Sequence, residues 1–175
     1  MVNTALKYRL FLLFITLSLL SCAKKTGSPS SGSTAVRTAS YRDKVVSTTT
    51  MNADIINDVN EYRKTRGLPP MHLLAIAASE AARHSSNMAS KKVAFGHAGF
   101  NQRAIAIANE LHGTSSTGEN IAFGKMTAKQ VIEAWLKSPD HKANIEGPFN
   151  YTGVGVAKDS RGVVYYTQIF VKSTK

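Results

Sequence analysis

One cysteine, one tryptophan and five prolines in 175 residues set the first limits on this chain. A lone cysteine, Cys22, cannot form an intramolecular disulfide, so a hydrophobic core must hold the fold together. The apolar segment Leu10 to Leu20 is about half the length a helix needs to cross a bilayer, which excludes it as a membrane span. Acidic residues are also scarce, 11 against 22 basic, and the formal charge of +11 invites a nucleic-acid or membrane-surface reading. Much of that excess lies near the N-terminus, leaving 15 basic against 10 acidic residues from position 51 onward. There the lysines and arginines are scattered without aromatic interleaving, so no dedicated nucleic-acid groove and no nucleic-acid partner are expected. Internal repeats, a G-x-S-x-G nucleophile elbow, a P-loop and an HExxH metal motif are all missing.

What is present starts with a leader. Lys7 and Arg9 precede the apolar segment, so residues 1–21 read as a signal peptide rather than a structural helix. The segment ends in LLSC, which resembles a bacterial lipobox: Cys22 would be lipidated and become the new N-terminus. An exposed free thiol in an oxidising compartment would be a liability, and lipidation removes it. The alternative is cleavage nearby and a secreted, unanchored protein. Residues 22–50 are rich in Ser, Thr, Gly and Lys without lasting apolar periodicity, the composition of a flexible tether. The expected organisation is therefore signal peptide, lipidated cysteine with tether, and one domain over 51–175, facing away from the cytoplasm.

Within that domain, Ile55, Ile56, Val59 and Tyr62 recur at helical spacing, with Asn52 as a candidate cap and Gly67, Pro69 and Pro70 as stops. A second helix is expected over about 73–90, with His84 on its apolar stripe as a core histidine. Phe100, Ala104, Ile107 and Leu111 predict a third, ended by Gly113. Thr127 and Gln130 form a capping-box pair for a fourth carrying Val131, Ile132 and Trp135. Ser138 and Pro139 supply an N-cap and N1 pair for a short fifth. The C-terminal segment reads as a hairpin turning at Asp159 to Gly162, with its second strand apolar on both faces and so covered on both sides. Helices first and strands last predict an α+β sandwich with helical layers outside.

Three polar groups sit at joints between these elements. His97 lies in AFGHAGF, Glu119 in GENIAFG, and His141 in SPDHKANI. Two imidazoles and a carboxylate brought together would make a divalent-metal site or a general acid/base pair. Their separations of about twenty residues match no local ligand motif, so spacing alone does not bring them together. Asn120 and Asn144 read as structural ties, Trp135 as core. Ser85 beside His84 is no nucleophile and base pair, because adjacent helix positions point apart.

YRKTRGL, FGHAGF, GENIAFG, EAWLKSPDHKANI, YTGVGVAK and YYTQIFVK, in that order over residues 52–172, resemble the bacterial branch of the CAP superfamily, whose unit is the SCP domain. The resemblance implies a three-layer α-β-α sandwich and a central cleft lined by two histidines and two acids, which in some members holds a divalent ion such as zinc. By motif the histidines are His97 and His141, which would also be the metal ligands, and the first acid is Glu119. Its carboxylate would pair with an imidazole and orient it. Lys137 stands where animal and plant relatives carry the second acid, and Glu133, one helical turn away, is the candidate substitute. The implied activity is binding of a lipid, a sterol-like molecule or a partner protein. The alternative is a metal-assisted hydrolase or peptidase using the same cleft.

Overall fold

The computed structural model describes residues 48–113 and 116–173; the expected leader, Cys22 and nearly all of the expected tether lie outside them. Helix α1 (Thr48–Thr65) is followed by a two-residue strand β1 (His72–Leu73), then α2 (Ala75–Ala89) and α3 (Phe100–Glu110). Strand β2 (Ser116–Gly124) leads into α4 (Ala128–Leu136) and α5 (Pro139–Glu146), and the chain ends in the hairpin β3 (Tyr151–Lys158) and β4 (Val164–Lys172). The strands form one mixed sheet in the order β1-β3-β4-β2, in which only the β1–β3 pair is parallel.

Helical layers cover both sides of the sheet. Residues 165, 167, 169 and 171 of β4 alternate with 166, 168 and 170, and every one of these side chains is buried. Tyr166 and Phe170 pack with Ile55, Val59, Val131 and Trp135 of α1 and α4, whereas Ile169 and Val171 pack with Ala77, Ala81 and Ile107 of α2 and α3. The fold is thus an α+β sandwich with helices on both sides of a four-stranded sheet, as expected.

Two glycines set the spacing of the second layer. A Cβ on Gly153 would lie 2.1 Å from the Ala78 nitrogen, and one on Gly155 would lie 2.0 Å from the Ala82 nitrogen. The backbone of α2 therefore rests directly on β3, which only glycine permits. Ser85 uses the contact: its hydroxyl donates to Gly155 O and hydrogen-bonds Thr167 Oγ1, both at 2.8 Å. It is a buried tie between helix and sheet.

The opposite layer is tied by a buried arginine. The guanidinium of Arg63 on α1 donates to the carbonyls of Pro69 (2.9 Å), Ile145 (2.7 Å), Gly147 (2.9 Å) and Phe149 (3.2 Å). Three of these lie at or just beyond the C-terminus of α5, where a cation meets both the open carbonyls and the negative end of the helix dipole. An eight-residue helix is too short to persist alone, and this arginine fixes its end.

Several expectations change. Asn52 does not cap the first helix, which begins at Thr48; the residue lies inside it, and among the described residues its Oδ1 is buried without a partner. Leu73 leaves the second helix for the parallel pair with β3. Thr127 and Gln130 do form the capping box, while Ser138 occupies the N-cap of α5 without a side-chain bond, Pro139 alone serving the start. GENIAFG, placed at a joint between elements by the sequence, is the body of strand β2.

Candidate functional site

β2 lies at the edge of the sheet, paired on one side with β4, so its other edge needs partners. Side chains supply them. Asn144 Nδ2 on α5 donates to Glu119 O (3.3 Å), and Trp135 Nε1 on α4 donates to Ile121 O (3.0 Å). Gly118 makes room for this contact, because a Cβ there would lie 2.7 Å from Asn144 Oδ1. Asn120 completes the joint by donating from Nδ2 to His141 O (3.0 Å) and accepting from Asn144 Nδ2 (2.9 Å). Asn120 and Asn144 are therefore the ties expected of them, joining strand to helix.

Glu119 projects to the α2/α3 side, where its side chain is only 1% exposed. Arg103 on α3 grips it at two points, Nε to Oε2 and Nη2 to Oε1, both at 2.8 Å. His97 Nδ1 lies 2.9 Å from Oε1, so its N–H donates to the same carboxylate. That bond fixes the ring and leaves Nε2 as the imidazole nitrogen open to a visitor, on a side chain half exposed to solvent. Sequence reasoning missed Arg103. Its signal was there: a charged residue at i+3 from Phe100 and i−4 from Ile107, on the apolar stripe of α3.

The His97 loop is held from behind. Arg103 Nη1 donates to Ala98 O (2.9 Å), and His84 Nε2 bonds Gly96 O (2.9 Å). His84 is the buried, satisfied core histidine expected, and burial pushes its pKa below the ordinary value, with the Arg103 charge adding to the shift. A pocket of about 200 Å³ lies against this support, lined by His84, Asn87, Ala98, Gly99, Gln102 and Arg103.

His141 enters from α5, with its carbonyl held by Asn120 next to Glu119. Burial lowers its pKa, and the charge of the neighbouring His97 lowers it further. The structure thus pairs His97 with Glu119 and ties the backbone of His141 to the same strand through Asn120, with no bond from the His141 ring to either group among the described residues. Glu133 is exposed on α4 and takes no part, among the described residues, in the bonds of this cluster.

The donor set can be tested against a metal. Zinc takes four ligands, commonly three from protein in an open site. Both oxygens of Glu119 already face Arg103, and His97 Nδ1 is spent on Oε1. What remains is one nitrogen of His97 and the ring of His141, beside a guanidinium. No group of three His, Cys, Asp or Glu able to hold an ion occurs among the described residues. These residues do not fit a resident zinc site.

The chain as a whole resembles known proteins. Residues 56–170 match the model of the CAP family, described as the cysteine-rich secretory protein family. The uncharacterized protein YkwD of Bacillus subtilis is 30% identical over 151 residues, 85% of this chain and 53% of the relative. A solved extracellular protein containing an SCP domain from Bacillus anthracis superposes with a TM-score of 0.61 at 25% identity, covering 71% of this chain and 41% of that one. A cysteine-rich secretory protein from Staphylococcus aureus shares the fold, with a TM-score of 0.60 at 21% identity over 74% of this chain and 40% of its own. The chain spans about half the length of YkwD and less of the two solved proteins. The family model, matched across residues 56–170 and so most of the folded part, makes this chain a member of the CAP family.

Proposed function

We propose that this chain is an extracytoplasmic CAP domain, lipidated on Cys22 and held to a membrane, whose cleft binds a ligand between His97 and His141. The carrying observation is the commitment of Glu119. This carboxylate accepts from Arg103 at both oxygens and from His97 at one, so three of its roughly four acceptor positions face protein donors rather than a substrate. Its role is to orient an imidazole. No hydroxyl or thiol nucleophile is bonded to either histidine among the described residues, and Ser85 is buried elsewhere.

A binding cleft needs hydrogen-bonding groups on a folded frame; the imidazole fixed by Glu119 supplies one, and His141, on a helix tied to Asn120, supplies the second. The ligand would carry a hydroxyl or anionic head for those rings, as an amphipathic lipid or sterol-like molecule does. Placement outside the cytoplasm is supported by the basic-then-apolar leader ending at Cys22 and by the extracellular relative from Bacillus anthracis. Retention of fluorescent lipid and sterol by the purified protein tests the cleft. His97→Ala with His141→Ala should weaken retention about thirtyfold, since each lost hydrogen bond is worth about 1 kcal/mol. Retention that ignores the double substitution would remove the cleft from the account. Cys22→Ser should move the full chain out of the membrane fraction, and unchanged partitioning would defeat the anchor.

One observation favours a second reading, hydrolysis. A carboxylate on Nδ1 with Nε2 facing outward is how an imidazole is oriented to activate water. Turnover of a peptide or ester panel that disappears in His97→Gln while the fold survives would establish it.

A further inference from the structure

The loop that carries His97 also carries Phe95, which is 47% exposed. Its ring packs edge-on against Phe123 at 4.7 Å between centroids, and Phe123, 55% exposed, stacks on Tyr165 at 6.0 Å. Phe123 and Tyr165 are register partners on β2 and β4, and Tyr165 belongs in turn to a small core with Met88 and Ile121. One exposed apolar side chain means little, but two phenylalanines in contact over a third aromatic ring form a patch.

The segments that build the patch are 86–95, 121–127 and 156–165. They carry Lys91, Lys92, Lys125, Lys158 and Arg161, all exposed, against the single acid Asp159. Lys125 and Lys158 converge at the end of the sheet, both within 4 Å of where a side chain on Gly162 would begin. The acid does not offset them at the surface. Asp159 turns inward, accepts from the backbone N–H groups of Arg161 and Val163, both at 2.9 Å, and pairs with the Arg161 guanidinium, leaving its side chain 4% exposed. Two exposed rings in contact and several exposed lysines without an ion pair among the described residues are therefore carried by the same three segments.

We propose that this face docks on an anionic lipid bilayer, with Phe95 and Phe123 entering the interface and the lysines resting on the headgroups. Two arguments select a bilayer over a protein partner. Lysine is depleted from protein interfaces, because ordering its long stem is costly, whereas it is favoured beside anionic lipid, where the head stays hydrated. Aromatic rings flanked by basic residues are also the composition of surfaces that lie in a membrane interface. A lipid on Cys22 would only raise the local concentration of the same surface. Docking does not depend on the cleft's ligand, although it would hold the His97 loop at the membrane, because Phe95 and His97 share that loop.

The test uses the full chain with Cys22→Ser and a reporter, Phe123→Trp, beside the buried Trp135. Phosphatidylglycerol vesicles should shift the reporter's emission to the blue, phosphatidylcholine vesicles should not, and high salt should reverse the shift. Lys91→Gln with Lys125→Gln should lower the partition coefficient roughly 25-fold, about fivefold per lysine. Binding through the apolar leader would leave the residue-123 emission unmoved and would overturn the proposal. So would an equal shift with both lipids, or a shift that follows protein concentration without vesicles, which would mark contact with a second copy.

Discussion

Arg103 and Glu119 meet as a two-point ion pair, with 2.8 Å at each point and almost no solvent at either group. Desolvation of both charges is offset only while the pair is intact, so the balance is strongly asymmetric toward removal of one partner. Arg103→Ala should cost about 3–5 kcal/mol in chemical denaturation, and Arg103→Lys should recover only part of it, because an ammonium cannot repeat the fork. Full recovery by lysine would show that charge alone matters there.

Acid should weaken the fold through His84. Burial holds its folded-state pKa below the ordinary 6.5, with Arg103 adding to the effect. The unfolded chain then binds the proton more readily, so stability is intact above about pH 6.5 and falls as the pH drops from there through the lowered folded-state value. His141, lowered by burial and then by His97, acts in the same direction. Melting temperatures from pH 8 to pH 5 should decline, and the slope should shrink in His84→Gln. A slope unaltered by that change would assign the acid sensitivity to other groups.

Gly155→Ala places a methyl 2.0 Å from the Ala82 nitrogen, a backbone atom of α2 that cannot swing aside. The helix must lift off the sheet, breaking the Ser85 bonds to Gly155 and Thr167. The cost should be about 3 kcal/mol or more, at the upper end for overpacking. A melting temperature equal to that of the parent would mean that helix and strand are not in direct contact.

Arg63→Met keeps the volume of the side chain but removes donors to four carbonyls. Bonds from a charged donor contribute about 1.5–3 kcal/mol each, so a loss of several kcal/mol is expected. Amide exchange should accelerate most in α5. Uniform acceleration across the molecule would instead indicate a general loss of packing.

Zinc should raise the melting temperature no more than magnesium does, given a donor set of two imidazoles beside a guanidinium. A zinc-specific rise abolished by His97→Ala would show that Glu119 can leave Arg103 for a metal.

The layers of the fold were legible because helical periodicity and the two-faced apolar strand β4 are strong patterns. The edge strand β2 was not. Gly118, Asn120 and Ala122 have weak strand propensity, and their positions are set by distant partners: Asn144 against Gly118, His141 and Asn144 on Asn120, and β4 along the whole length. His97, Glu119 and His141 could be named from their motifs, but their meeting rests on bonds between elements far apart in sequence. Glu133 illustrates the limit: a position one helical turn from the family's acid still leaves an exposed side chain outside the cluster.

The two walls beside the strand edge differ in how they are held. On one side α2 lies backbone to backbone on the glycines of β3, with no side-chain layer between to slide or repack. On the other, α5 is a short helix suspended from Arg63 at one end and two asparagines in its middle. The molecule is thus a vice with one jaw welded to its bed and one hung on pins. In the proposed cleft, widening for a bulkier guest is expected at the hung jaw, which carries His141, while His97 stays bonded to Glu119.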